Sequence, residues 1–290
     1  MGKICEEQIA AMKYIAVLLT VHNRCVQTLS CLKHLYTQEI PAGMQLDVFL
    51  VDDGCTDGTS KAVQEHFPTV NIIQGDGSLY WNRGMWTAWD VASRRKNYDF
   101  YLWLNDDTFL LEDAVIQMLD LSGLHNEVAI VVGATKSSVG DSLSYGGYIG
   151  ANRALCNGLP CEISGFNGNI VLVPQAVHAI IGNLDYYYRH SKGDYDYALR
   201  ARKAGIKMYQ CGNVLGICDV HEHIATWCNP EAPFCQRWKA MHQPTGMPPN
   251  EVFYYERRIN ILMAIIHVLS IYIKCAFPRL WTKRRSKHSN

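Results

Sequence analysis

The chain has no excess of charge of either sign: Lys and Arg number 27, and Asp and Glu also number 27. Without a net field it has nothing global with which to draw in nucleic acid, so nucleic acid is not expected as a partner. No GxxxxGK[ST] segment occurs, which excludes a P-loop. The glycines of GDGSLYWNRG (75–84) do not form GxGxxG, so a dinucleotide-binding Rossmann site would lack its phosphate loop. The first forty residues show no charged, then apolar, then small-residue leader. Close CxxC pairs are missing where they would matter. Cys211, Cys218, Cys228 and Cys235, with His221 and His223 among them, are spaced seven, ten and seven apart, unlike the pairs of a structural zinc site. With 11 scattered cysteines the expectation is reduced cytosolic thiols, many packed as small hydrophobes.

What is present is ample apolar content, 48% over 290 residues, enough for one large α/β domain or two small ones. Residues 1–13 read as a loose leader, with Met12 a natural start. Strand-like and helix-like segments then alternate. YIAVLLTVHN (14–23), LDVFLVDDG (46–54), VNIIQG (70–75), DFYLWL (99–104) and EVAIVVGAT (127–135) read as strands. Helical periods fall between them at 25–38, 58–67, 81–96 and 112–123. Near-continuous apolar strands alternating with helices predict a Rossmann-like, mostly parallel sheet with helices on both faces. From 136 to 165 the pattern breaks into Gly/Ser/Asn-rich sequence, a mobile loop or a small hairpin region. Regularity returns with a strand at 166–174, a helix from Gln175, a helix at 194–205 and a strand at 206–217.

Three strands end on polar groups at what would be their carboxyl edge, where open α/β sheets bind ligands. The first ends at Thr20, His22, Asn23 and Arg24, the second at Asp52 and Asp53, and the fourth at Asn105, Asp106 and Asp107. Each alone is ordinary turn or cap chemistry. Together they suggest a site. Adjacent Asp106 and Asp107 would repel one another unless donors or a cation compensate, and hard oxygen ligands suit Mg²⁺ or Mn²⁺ bridging to substrate phosphates.

LLTVHNR, FLVDDGCTDGT, LYWNRGMWTAW, YLWLNDDT, FNGNIVLVP and GDYDYALRARKAG, in this order from about Tyr14 to His223, resemble a family 2 glycosyltransferase of the GT-A fold. The subgroup they are most similar to builds bacterial capsular or lipopolysaccharide O-antigen chains and includes rhamnosyltransferase-like members. The resemblance implies a catalytic domain over 14–230, with a nucleotide-sugar half (14–110) and an acceptor half (111–230), followed by a C-terminal helical extension (231–290). It implies that Thr20, His22, Asn23 and Arg24 border the donor's base and ribose. Asp53 would bond the pyrimidine with Asp52 close by, and Gly75, Trp81, Asn82, Asn105 and Asp106 would also face the donor. Asp107 would be the metal ligand for Mn²⁺ or Mg²⁺, completed by His221 or His223. Asn167, Gly168 and Asn169 would lie beside the acceptor, and Asp194 or Asp196 would be the base.

Two departures from the family pattern are visible. The metal motif reads Asn-Asp-Asp rather than Asp-x-Asp, and Gly193-Asp194 stands where Glu-Asp is usual. On the residues alone, Asp194 could equally cap a helix. The expected reaction is an inverting, metal-assisted transfer from a UDP- or dTDP-sugar to a hydroxyl of a glycan or lipid-linked acceptor. A non-catalytic nucleotide-sugar-binding scaffold is the alternative, and a sugar nucleotidyltransferase a more distant one. The tail INILMAIIHVLSIYIKCAF (259–277), followed by Arg279, Lys283, Arg284, Arg285 and Lys287, allows three readings. It packs on the domain, lies on an anionic membrane through 259–287, or spans it. The protein is expected in the cytoplasm, at the inner face of the membrane on the second reading, and a homodimer is a further partner state to test.

Overall fold

The computed structural model describes residues 12–220 and 224–280. Its first half runs β1 (Lys13–Val21), α1 (Cys25–Tyr36), β2 (Met44–Asp52), α2 (Thr59–His66), β3 (Asn71–Gln74), α3 (Tyr80–Arg95) and β4 (Phe100–Leu104). Then come β5 (Phe109–Leu110), α4 (Ala114–Leu124), β6 (Ile130–Lys136), β7 (Leu143–Tyr145), β8 (Gly147–Ile149), β9 (Asn152–Arg153), β10 (Cys161–Glu162) and β11 (Gly165–Phe166). The chain closes with β12 (Ile170–Pro174), α5 (Gln175–Ile181), α6 (Gly193–Lys203), β13 (Met208–Ile217), α7 (Phe234–His242), α8 (Pro249–Glu256) and α9 (Ile261–Ala276).

The main sheet has the order β10-β13-β6-β12-β4-β1-β2-β3, parallel from β4 to β3. β12 runs antiparallel to both β4 and β6, and β13 returns parallel to β6. Residues Ile15 to Val21 of β1 are all buried, which requires cover on both faces. The pleat alternation divides them. Ile15, Val17 and Leu19 pack with Leu32 and Leu35 of α1 and Val115 and Met118 of α4. Ala16 and Leu18 pack with Met85, Ala88, Trp89 and Ala92 of α3 on the other side. The sequence expectation of a helix-covered, mostly parallel sheet holds.

One segment resolves differently from the expectation. The strand expected over 166–174 is divided: Gly165–Phe166 joins a small sheet of order β11-β8-β9, and Ile170–Pro174 joins the main one. Between them the backbone changes partners. Asn167 N–H donates to the Gly146 carbonyl at 2.9 Å, and the Asn169 carbonyl accepts from Asn105 N–H at 3.1 Å. The 136–165 region, expected as a mobile loop or small hairpin region, holds short strands: β7 pairs antiparallel with β6, β8 with β9, and β10 with the distant β13.

The C-terminal helices build their own core from Trp227, Met241, Val252, Ile271 and Cys275. Asn260 caps α9 by accepting from Met263 N–H at 3.1 Å. Buried Arg237 closes the other end, donating to the Cys275 carbonyl at 2.7 Å. α9 is 16 residues long, and among the described residues no helix is long and apolar enough to cross a membrane. The spanning reading is therefore set aside. One face of α9 packs inward through Ala264, Ile271 and Cys275, while Leu262, Ile266, Leu269 and Ile273 remain exposed.

Candidate functional site

The carboxyl ends of β1, β2 and β4 open onto a cleft of about 630 Å³, closed opposite by the 167–169 loop and the start of α6. Close packing sets its first wall. A Cβ on Gly84 of α3 would lie 2.1 Å from Thr20 Oγ1, so only glycine lets that helix approach the end of β1. His22 Nδ1 donates to the Asp53 carbonyl at 2.6 Å. Asp53 itself is buried and committed: Oδ1 accepts from Gly77 and Leu79 N–H at 2.9 and 3.2 Å, and Oδ2 from Tyr80 N–H at 2.9 Å. Asp53 thus shapes the loop under this side of the cleft, with Tyr80 held at φ 56°.

At the end of β4, Trp81 Nε1 donates to Asn105 Oδ1 at 2.7 Å. The next two residues are the acids. Arg24 Nη1 reaches Asp107 Oδ2 at 2.5 Å and Asp106 Oδ1 at 3.4 Å, so one guanidinium balances both carboxylates. Burial, then the Asp107 charge, push Asp106 up to about 7. Asp106 Oδ2 is buried with no partner. Two adjacent carboxylates with an orphaned oxygen form the kind of partial, all-oxygen donor set that Mg²⁺ or Mn²⁺ uses when waters and substrate phosphates complete its shell. The donors fit such an ion. Among the described residues no group of three or more His, Cys, Asp or Glu side chains gathers to hold a metal by itself.

Across the cleft, Asp194 lies in the first turn of α6, partly buried. Its Oδ2 accepts from Gly168 N–H at 3.1 Å and its Oδ1 from Tyr195 N–H at 2.8 Å. Burial raises its pKa to about 6, against the pull of those two donors. Gly168 is required here, because a Cβ would lie 2.6 Å from the Trp81 ring. Asn167 Oδ1 accepts from the Tyr148 hydroxyl at 2.8 Å, which fixes the loop from its other side. A carboxylate tuned close to neutrality therefore faces a pair of acids across one cleft. That arrangement can take a proton at one end and hold a cation-neutralised anion at the other.

The cleft gathers Thr20, His22, Arg24, Asp53, Trp81, Asn105, Asp106, Asp107, Asn167, Gly168, Asn169 and Asp194. Several expected residues do other work. Asp196 is 0% exposed and off the cleft, bonded to Arg200 and Arg258, so of the two acids only Asp194 lines the cleft. Asn82 is fully buried and donates to the Asp185 and Tyr188 carbonyls at 2.9 and 2.8 Å. Asp52 holds a turn through Cys55 N–H at 2.6 Å, and Asn23 does the same through Thr56 N–H at 2.7 Å. Gly75 lies against Asp53, where a Cβ would come within 2.9 Å of Oδ1. Asp194 is not a helix cap: the cap position is Lys192, with no side-chain cap bond. His221 and His223 lie outside the described residues. Cys211, Cys218 and Cys235 are free thiols.

The cleft also contains Tyr145, His190, Ser191, Lys192, Tyr195 and Thr245, which sequence reasoning missed. His190 Nδ1 is buried without a partner, and Lys192 stands at φ 74°, in the left-handed region. Neither property is written in local sequence. Thr245 comes from the C-terminal extension, beyond the quoted motifs.

Residues 16–225 match the family described as Glycosyl transferase family 2. No curated protein matches the sequence. Among solved structures, S. aureus TarS superposes with a TM-score of 0.57 at 13% identity, covering 92% of this chain and 44% of that one. The S. aureus TarS 1–349 complex with UDP gives 0.55 at 14% identity, covering 87% and 68% of the two chains. The complex with UDP-GlcNAc gives 0.55 at 13%, covering 92% and 73%. This chain thus spans less than half the length of the longer TarS structure, and the likeness is one of fold.

Proposed function

The chain belongs to glycosyl transferase family 2, and from that premise we propose that it moves a sugar, with inversion, from a UDP- or dTDP-sugar to a hydroxyl of a glycan or lipid-linked acceptor. The observation that carries the reading is one cleft with Asp194 on one wall and the Asp106–Asp107 pair on the other. The solved complexes of S. aureus TarS with UDP and UDP-GlcNAc support a uridine donor by analogy of fold. Assembly of a bacterial capsule or O-antigen is the setting proposed for it.

Asp194 accepts the proton of the acceptor hydroxyl as that oxygen attacks the anomeric carbon from the face opposite the diphosphate. The glycosidic bond forms as the bond to the diphosphate oxygen breaks, and the nucleoside diphosphate leaves with the bonding pair. Gly168 and Tyr195 N–H groups aim the Asp194 carboxylate. Asp107, with Asp106, would hold Mg²⁺ or Mn²⁺, which when bound supplies positive charge to the leaving diphosphate. Arg24 and Lys192 add cationic character to the same cleft.

The exposed stripe of α9 is proposed to lie on an anionic membrane surface at the cytoplasmic face. Arg279 and the sequence positions Lys283, Arg284, Arg285 and Lys287 follow the helix and complement such a surface. A second copy of the chain is the competing occupant.

The test is thermal stabilisation of wild type and Asp107→Ala by a panel of nucleoside diphosphates and nucleotide sugars, with and without Mn²⁺. Pyrimidine-selective, metal-dependent stabilisation that the variant loses is the expected result. Stabilisation by none of them would sink the donor site and favour a scaffold.

A further inference from the structure

Asp196, which the sequence offered as a candidate base, turns out to be the centre of a buried ion cluster. Its Oδ2 accepts from Arg200 Nε at 2.9 Å, and its Oδ1 from the Tyr188 hydroxyl at 3.3 Å and from Arg258 Nη1. Arg258 is the unexpected member. It lies between α8 and α9, beyond residue 225 where the family match ends, and it reaches back 62 positions to the base helix. Its other arm, Nη2, donates to Asp185 Oδ2 at 2.8 Å, and its guanidinium lies over the Tyr254 ring at 4.3 Å. Asp185 and Asp196 thus face Arg200 and Arg258, two charges against two, and the cluster is neutral.

A second tie runs parallel to it. Glu251 of α8, 1% exposed, accepts from Arg189 Nε at 2.7 Å. Between the two ties lies the 185–192 segment, which carries His190 and Lys192 into the cleft and leads directly into Asp194. From below, Asn82 holds the same segment by the Asp185 and Tyr188 carbonyls. The C-terminal extension therefore clamps the segment that presents the base.

We infer that Arg258 is a positioning residue for sugar transfer: by pinning Asp196 and Asp185 it fixes the first turn of α6, and with it the direction of the Asp194 carboxylate. This rests on the reading of Asp194 as the base. Without the clamp, the first turn of α6 rocks and the Gly168 and Tyr195 donors no longer meet both carboxylate oxygens. A misplacement of about 1 Å at a reacting group costs on the order of 100-fold in rate. Arg24, Asp106 and Asp107, on the opposite wall, are outside the clamp, so UDP affinity changes little.

The experiment uses the full chain as wild type, Arg258→Gln, Arg258→Lys and the charge-balanced pair Arg258→Gln with Asp196→Asn, which leaves no buried charge at position 196 and keeps the net charge of the cluster unchanged. Three quantities are read: UDP affinity by calorimetry, UDP release from UDP-GlcNAc across pH, and amide hydrogen exchange. The expected result for Arg258→Gln and the balanced pair is UDP affinity within about twofold of wild type, kcat down by roughly 10- to 100-fold, and the acid limb of the pH profile moved upward. Exchange should rise at Gly168 and at 193–197 but not in α1. Arg258→Lys should recover part of the rate. Unchanged exchange at 193–197 overturns the inference, as does a rate that falls only in step with UDP affinity. If wild type releases no UDP yet exchange responds as described, the positioning stands and it is the donor reading that fails.

Discussion

Gly193 and Asn82 interlock: a Cβ on Gly193 would lie 1.7 Å from Asn82 Oδ1. The position where relatives are expected to carry Glu is filled in this chain by a neighbour's amide. Asn82 cannot move away, since its Nδ2 supports two carbonyls of the 185–188 segment. Gly193→Ala is therefore predicted to act as an overpacking change, losing about 1–3 kcal/mol. Thermal melting without ligand should show a drop of several degrees. An unaltered melting temperature would mean that Asn82 has another place to go.

Asp194→Asn removes the proposed proton acceptor without touching the Asp106–Asp107 wall. Transfer is predicted to fall by about 10²- to 10⁴-fold while UDP affinity is retained. The sign of the pH effect follows from burial, which raises the Asp194 pKa to about 6. Only the ionised carboxylate accepts a proton, so activity is lost as pH falls through about 6. The stability effect has the opposite direction. A carboxyl with a raised folded-state pKa destabilises the fold above that pKa, and the penalty is relieved as pH drops toward the unfolded value. Asp194→Asn should thus melt higher than wild type at pH 8 and lose that advantage near pH 4.

The contrast between Asp194 and Asp196 shows what a sequence can and cannot carry. The donor wall was legible because strand ends and their polar residues are local: Thr20, Arg24, Asn105, Asp106 and Asp107 all follow short apolar runs and all reach the cleft. Residues two apart on a helix point about 200° apart, so only one of the two acids could face the cleft. Which one depended on Arg258 and Tyr188, and no local pattern announces partners that distant. Asp52, Asn23 and Asn82 were misplaced for a related reason. Each has polar chemistry suited to a ligand, but backbone N–H or carbonyl groups brought near by the fold already use it. Lys192 and His190 were invisible because their value lies in backbone conformation and burial rather than in type.

Arg24 is the built-in counter-ion of the acid pair, and its removal should expose the need for one. Arg24→Gln leaves Asp106 and Asp107 adjacent with no cation, a like-charge contact that destabilises the folded chain. The variant is predicted to melt lower than wild type in EDTA. Mn²⁺ should raise its melting temperature by more than it raises that of wild type, because the metal then replaces the guanidinium. Melting curves of both proteins in EDTA and in Mn²⁺ decide it. Equal metal shifts would separate Arg24 from the cation site.

α9 is apolar on two sides, and only one of them is covered. Leu262, Ile266, Leu269 and Ile273 recur at helical spacing and stay 68%, 54%, 56% and 47% exposed. The stripe is too apolar to face water without a cover, and basic residues follow it in the sequence. Each side chain that leaves water contributes on the order of 1 kcal/mol. Replacing Leu262, Ile266 and Leu269 with Ser is therefore predicted to weaken binding to vesicles rich in phosphatidylglycerol by roughly 100-fold, with little change in melting temperature. Wild-type binding should fall as salt is raised and be weak on neutral phosphatidylcholine, because charge supplies part of the affinity. Co-sedimentation measures both. If the triple variant still sediments with anionic vesicles, the stripe is not the contact. If wild type instead runs as a dimer that the substitutions convert to a monomer, the cover is a second copy of the chain.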